Sequence, residues 1–258
     1  MGQRIRLGVG CIIALLLSLW VVPRMDGGWS KEVIIQDSPI DEPEAFKEAI
    51  AKKQLYYQGD RSRRWVALTF DDGPDEYYTK RVLDILRREG VKATFFVVGE
   101  LMQRNPRLLQ RMVREGHVIG NHTWSHPYLP YISRAEAQKE IYRTQWIIQN
   151  LVGKRPRLIR PPFGSMNKRL VRMLSDHGFT VVHWSVDTRD WSGRSASSII
   201  ETIQQGVHPG AIILQHSAGG EQRLHGTLEA LPKIIRFLRR SGYKMVTVDQ
   251  LLRMKAYR

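Results

Sequence analysis

Trp65-Val66-Ala67-Leu68-Thr69-Phe70-Asp71-Asp72-Gly73-Pro74 is the stretch on which the fold turns. The apolar run from Trp65 to Leu68 reads as a buried strand, and Gly73-Pro74 marks a turn straight after it. Along a strand, neighbouring side chains point to opposite faces. At a strand end that bends sharply, two adjacent carboxylates can enter one cavity from different angles. Asp71 and Asp72 can then divide two tasks, one holding a metal ion and the other staying free to accept a proton. For Thr69 to Pro74 alone, a solvated Asp-Gly turn fits as well, and the rest of the chain decides between them.

From Trp65 onward, strand and helix patterns alternate. Strands are predicted at 65–70, 92–98, 117–121, 157–160, 179–184, 210–215 and 243–247, with helices near 77–89, 106–115, 134–151, 167–176, 195–206, 227–240 and 249–255. The strands are continuous apolar runs such as Ala211-Ile212-Ile213-Leu214, as expected of parallel strands covered on both faces. Gly90, Gly116, Gly178 and Gly242 fall where helices should stop. Seven βα units within 258 residues predict a single α/β domain, a closed or nearly closed barrel, whose chemistry sits at the C-terminal ends of the strands.

The polar clusters keep that register. His122-Thr123-Trp124-Ser125-His126 follows the third predicted strand. Two imidazoles four residues apart can reach one ion, and Asp72 would complete an N, N, O set with an open face for water, the catalytic rather than the structural pattern. Arg160-Pro161-Pro162-Phe163-Gly164 follows the fourth strand, its backbone stiffened by two prolines. Arg160 there is able to pair with a carboxylate. Asp187-Thr188-Arg189-Asp190-Trp191 follows the fifth strand and Leu214-Gln215-His216-Ser217 the sixth. A chance scatter of surface polar residues would not fall only on the predicted active face.

Together the five segments resemble, in order, the motifs of carbohydrate esterase family 4, the NodB-homology polysaccharide deacetylases. The likeness covers roughly residues 64–252. It implies a distorted (β/α)7–8 barrel and removal of acetyl groups from sugars with the help of one divalent metal ion, with zinc favoured and cobalt or manganese admissible. By the same resemblance Asp71 is the base, and Asp72, His122 and His126 are the metal ligands. Arg160 orients Asp71, His216 is the acid, and Asp190 tunes His216. Phe163 offers a backbone N–H to the oxyanion, and Trp191 and Leu214 shape the pocket for the acetyl methyl. The family often has Tyr where this chain has Phe163, and many relatives have an acidic residue where it has Ser217.

Outside that region the chain divides into 1–23, a signal peptide or N-terminal membrane anchor, 24–63, a spacer, and 64–258, the deacetylase domain. Arg4 and Arg6 precede sixteen uncharged residues, Leu7 to Val22, short for a span of about 20. Either reading exports the remainder to a bacterial cell wall, with the cytoplasmic membrane as a partner through the first segment. Pro43 through Tyr57 is expected to form one helix. The only cysteine, Cys11, excludes an internal disulfide and a multi-cysteine zinc site.

The net charge is +15, of which residues 65–258 carry +13. So basic a chain first suggests nucleic acid, but no recognition motif supports it and none is expected as a partner. An anionic polymer or a membrane surface fits equally. The preferred substrate is N-acetylglucosamine-type units of peptidoglycan, with chitin oligomers and acetylated xylan as alternatives. A carbohydrate-binding module without turnover is the alternative of another class. Trp124 is a candidate for stacking on a sugar, Trp65, Trp146 and Trp184 are expected in the core, and His117, His177, His183, His208 and His225 are expected to be structural or solvated.

Overall fold

A computed structural model describes residues 43–220 and 223–258 of the chain. The expected N-terminal segment 1–23 and the spacer up to residue 42 lie outside the described residues. Among those described, no helix is long and apolar enough to cross a membrane.

Nine short parallel strands form one sheet: β1 (Leu55–Tyr56), β2 (Trp65–Asp71), β3 (Thr94–Val97), β4 (Val118–Asn121), β5 (Leu158–Ile159), β6 (Thr180–Val182), β7 (Val186–Asp187), β8 (Ile212–His216) and β9 (Lys244–Met245). The order is β1-β6-β5-β4-β3-β2-β8-β7, with β9 added to β2. β6 and β7 are pieces of one run of chain. His183 N–H donates to Tyr56 O at 2.7 Å, and two residues on Ser185 N–H donates to Ile212 O at 3.0 Å. That run carries the sheet round from β1 to β8. The result is a barrel-like parallel sheet whose pairing path still has two ends, β1 and β7, rather than a complete ring.

Helices α1 (Pro43–Ala51), α2 (Tyr78–Arg88), α3 (Gly99–Arg104), α4 (Pro106–Arg114), α5 (Arg134–Val152), α6 (Lys168–Asp176), α7 (Ala196–Gly206), α8 (His225–Arg240) and α9 (Val248–Leu252) surround it. Phe70, Phe95 and Ile213 bury one side of the sheet against α2, α4, α7 and α8 through Leu83, Leu109, Ile203 and Ile234. The strand-start half of the interior is filled by Ala67, Phe96, Leu158, Ile212 and Val246, with Leu251 of α9 packed beneath them. This filling leaves the strand-end half for polar groups, as continuous apolar strands closing on Asp and His require.

Three elements differ from expectation. Pro43 to Tyr57 is not one helix: α1 stops at Ala51 and Leu55–Tyr56 pairs with Val181–Val182 of β6. Leu55 is fully buried, worth about 1.5–3 kcal/mol, a gain that a helix projecting into solvent would forgo. The six-residue α3 and the two-residue β7 are too short to show a period in sequence. Trp146, expected in the core, is 61% exposed on α5, while Trp65 and Trp184 pack against the interior cluster.

Candidate active site

The register of β2 and β8 sets the centre of the site. Asp71 is the Cα partner of His216, so their side chains leave the same rung of the sheet on the same side. Ser217 N–H then donates to Asp71 O at 2.9 Å, tying the two strand ends together. Gly73 packs against this junction, where a Cβ would meet Ser217 Oγ at 2.5 Å and Thr79 Oγ1 at 2.9 Å. The Gly73–Pro74 bond is cis.

Asp72, His122 and His126 converge. His126 Nε2 is 3.2 Å and His122 Nε2 3.4 Å from Asp72 Oδ1, and one donor atom from each residue lies within 4.8 Å of the other two. His122 Nδ1 sits 2.6 Å from Arg160 O. A carbonyl only accepts, so Nδ1 carries the hydrogen and Nε2 is the ring nitrogen turned toward Asp72. Asp72 Oδ1 is buried with no hydrogen-bond partner among the described residues, a state costly to keep unless a cation meets it. Burial pushes the Asp72 carboxyl up, but the charge of His126 and the nearness of both imidazoles outweigh it and hold it well below the usual carboxylate range. Two imidazoles and an ionised carboxylate suit a divalent cation.

The backbone is strained where this set is built. Asp72 (φ 72°), Thr123 (φ 68°), His126 (φ 61°), Phe163 (φ 59°) and Arg189 (φ 52°) are all left-handed, each at a cost of the order of 1–3 kcal/mol. Glu140 on α5 offsets part of that cost. Its Oε2 accepts from Trp124 N–H at 2.9 Å and Ser125 N–H at 2.8 Å, and its Oε1 from Ser125 Oγ at 3.0 Å. Thus one helical carboxylate clamps the turn between the two histidines. Sequence reasoning missed it, because a Glu on an amphipathic helix reads as solvated. Trp124 does not face a sugar. It is 6% exposed, beneath the Arg143 guanidinium at 3.5 Å, and Gly99 lies so close that a Cβ would be 2.3 Å from its ring.

Asp71 is held from below. Arg160, fully buried, donates from Nη1 to Asp71 Oδ1 at 2.7 Å and to Thr69 Oγ1 at 2.9 Å, from Nε to Val182 O at 3.0 Å and from Nη2 to His183 O at 3.0 Å. Its guanidinium also lies 4.2 Å from the Phe96 ring centre. Burial drags the Arg160 pKa down, opposed by Asp71. With Oδ1 engaged, Asp71 Oδ2 faces the metal group, 3.7 Å from His122 Nε2.

His216 has a matching partner. Asp190 Oδ1 accepts from His216 Nδ1 at 2.7 Å and from Trp191 N–H at 3.0 Å, while Oδ2 accepts from His216 N–H at 2.9 Å and Thr227 Oγ1 at 2.8 Å. All four partners donate, an arrangement only an ionised carboxylate can satisfy in full. Burial would lower the His216 pKa, but Asp190, followed by Asp72 and Asp71, raises it to about 10. Phe163 is 54% exposed, its ring 4.6 Å from that of His126. Trp191 is 40% exposed and Leu214 buried at 3%. His117 is buried and His183 half-buried, and desolvation lowers both to about 4.

Fold and site together define a metal-assisted hydrolase. The chain belongs to the polysaccharide deacetylase family, whose model matches residues 58–182. It is 41% identical over 202 residues to a peptidoglycan-N-acetylglucosamine deacetylase of Bacillus cereus, covering 78% of this chain and 73% of that one. It is 39% identical over 199 residues to the peptidoglycan-N-acetylmuramic acid deacetylase PdaC of Bacillus subtilis, covering 77% of this chain but only 41% of that longer one. A crystal structure of a peptidoglycan N-acetylglucosamine deacetylase in complex with 4-naphthalen-1-yl-N-oxidanyl-benzamide superposes with a TM-score of 0.80 at 39% identity, over 82% of this chain and 98% of that one.

Proposed function

We propose that the chain removes N-acetyl groups from N-acetylglucosamine-type residues of peptidoglycan, outside the cytoplasmic membrane. The observation that carries the reading is the division between the two aspartates: Asp72 faces two imidazoles while Asp71, one residue earlier, is reserved by a buried arginine. The names of the relatives support the polymer, and the basic flank followed by Leu7 to Val22 supports export.

Asp72, His122 and His126 would hold the ion, for which zinc is the choice that suits two nitrogens and a carboxylate. When bound, a divalent ion supplies Lewis acidity toward water and the acetyl carbonyl. Asp71, oriented by Arg160, takes the proton of the attacking water through Oδ2. The Phe163 N–H faces the developing oxyanion, a role that needs backbone only and is indifferent to the missing phenol. His216 enters the reaction as imidazolium, its Nδ1–H held by Asp190, and gives the separate proton on Nε2 to the departing amine. Trp191 and Leu214 wall the space for the methyl group.

The test is acetate release from peptidoglycan, chitin oligomers and acetylated xylan by the metal-loaded protein, with and without chelator. Release from peptidoglycan that stops with chelator and returns with Zn²⁺ is the expected result. Glycan binding that survives chelation, with no acetate from any polymer, would favour a binding module instead.

A further inference from the structure

The chemistry above leaves the net charge of +15 without a part. The structure sorts it. Some helix cations meet carboxylates: Arg111 pairs with Asp84 and Glu115 at 2.7 Å each, and Arg239 with Glu89 at 2.8 Å. At the pole where the strands begin, opposite the ends that carry Asp71, Asp72 and His216, this matching fails. Arg63 and Lys244 lie over Trp65, 4.8 and 5.1 Å from the ring centre. With Arg253 they line a cavity of about 480 Å³. Among the described residues Arg63 and Lys244 form no close ion pair, and Asp60 is shared between Arg253, at 3.5 Å with both side chains about half exposed, and the more distant charge of Arg63.

The segment after α9 continues the pattern. Pro156 bridges to Tyr257 and Arg258 N–H donates to Arg155 O at 2.9 Å, which gathers Arg155, Arg157 and Arg258 beside the start of β5. None has a carboxylate partner among the described residues, and Arg157 Nε is buried without an acceptor. Burial, then the charges of Arg155 and Arg157, pull the Arg258 guanidinium below its ordinary value. Crowding of like charge destabilises a fold unless an outside anion shares it.

We propose that this strand-start pole, through Arg63, Lys244 and Arg253 on one side and Arg155, Arg157 and Arg258 on the other, docks on a surface of anionic lipid headgroups. Two separate clusters of three cations suit a planar array of phosphates better than one converging anion does. Half-buried Trp65 between two cations suits the boundary between headgroups and water. The inference is independent of which glycan is cut. It leaves the catalytic mouth pointing away from the membrane.

The experiment measures sedimentation of the full-length protein with vesicles of phosphatidylcholine alone or with about a third phosphatidylglycerol, at two salt concentrations. Wild type should bind the anionic vesicles more tightly, and lose that excess at high salt. R63Q/K244Q/R253Q and R155Q/R157Q/R258Q should each lose about 10²-fold of the excess, at about five-fold per cation. Acetate release from a soluble oligosaccharide should not change, and the melting temperature should not fall. R88Q/R107Q/R172Q, which removes the same charge from exposed helix positions, should bind as wild type. Undiminished binding by the pole variants overturns the proposal. So does an equal loss in the helix control, or binding of wild type to soluble polyphosphate but not to the anionic vesicles.

Discussion

Replacing Asp190 with Asn tests the source of the acid. In the native site Asp190 accepts four hydrogen bonds, two of them from His216, and is the leading cause that lifts the imidazole to about 10 from an ordinary 6.5. The remaining lift comes from Asp72 and Asp71, whose share a bound cation cancels. Without the Asp190 charge, burial dominates and His216 falls below 6.5. At pH 8 a group of pKa 6.5 is protonated in about 3% of molecules, so deacetylation in D190N should drop at least about thirty-fold there. Part of it should return toward pH 6.5. The assay is initial acetate release between pH 5.5 and 9.5 with the metal site saturated. Stability gives a second reading. Because folded His216 keeps its proton above the unfolded value, the pair stabilises the fold in full below about pH 6.5. That contribution, of the order of a few kcal/mol, is lost as pH rises toward 10. Wild type should therefore show a melting temperature that falls across this window, and D190N should not. A variant with the wild-type pH–rate profile would refute the assignment of Asp190, whatever its absolute rate.

Asp71→Asn should keep its metal, measured by titration, and lose about 10²–10⁴-fold in turnover, the contribution of a general base. Glu140→Gln should weaken metal affinity by about 10–100-fold with little change in melting temperature, since the amide keeps one oxygen for the loop while its NH₂ faces a donor; calorimetric titration reads this without turnover. Arg160→Met leaves Asp71 as an unpaired buried charge and three acceptors without donors, and should cost about 3–5 kcal/mol, read as a melting point lower by roughly 10 °C. Arg160→Lys should recover part of the stability but less of the rate, because one ammonium cannot replace a fork that holds Asp71 and two carbonyls.

Much of the site could be read from the chain because its residues sit at strand ends. Asp71, Asp72, His122, Arg160 and His216 each close an apolar run, and a parallel α/β sheet brings such ends together whatever the loops do. Elements without a long period stayed hidden. Leu55–Tyr56 pairs only because β6 offers an edge, a fact no local pattern contains. Glu140 lies one helix away from the loop it clamps, and its spacing along α5 is that of any exposed residue. The two tryptophans fail in opposite directions: Trp124 in a polar loop is buried under Arg143, and Trp146 on an amphipathic helix is exposed. In both cases the neighbour that decides burial comes from tertiary packing.

The shared rung of Asp71 and His216 has a practical consequence. The gap between proton acceptor and proton donor is spanned by one inter-strand spacing of about 4.8 Å, a ruler that belongs to the main chain. Loops around the rim can therefore be exchanged to suit a different sugar without retuning that distance. By contrast, a single-residue insertion in β8 would swing His216 to the far side of the sheet and silence the enzyme with every catalytic side chain still present.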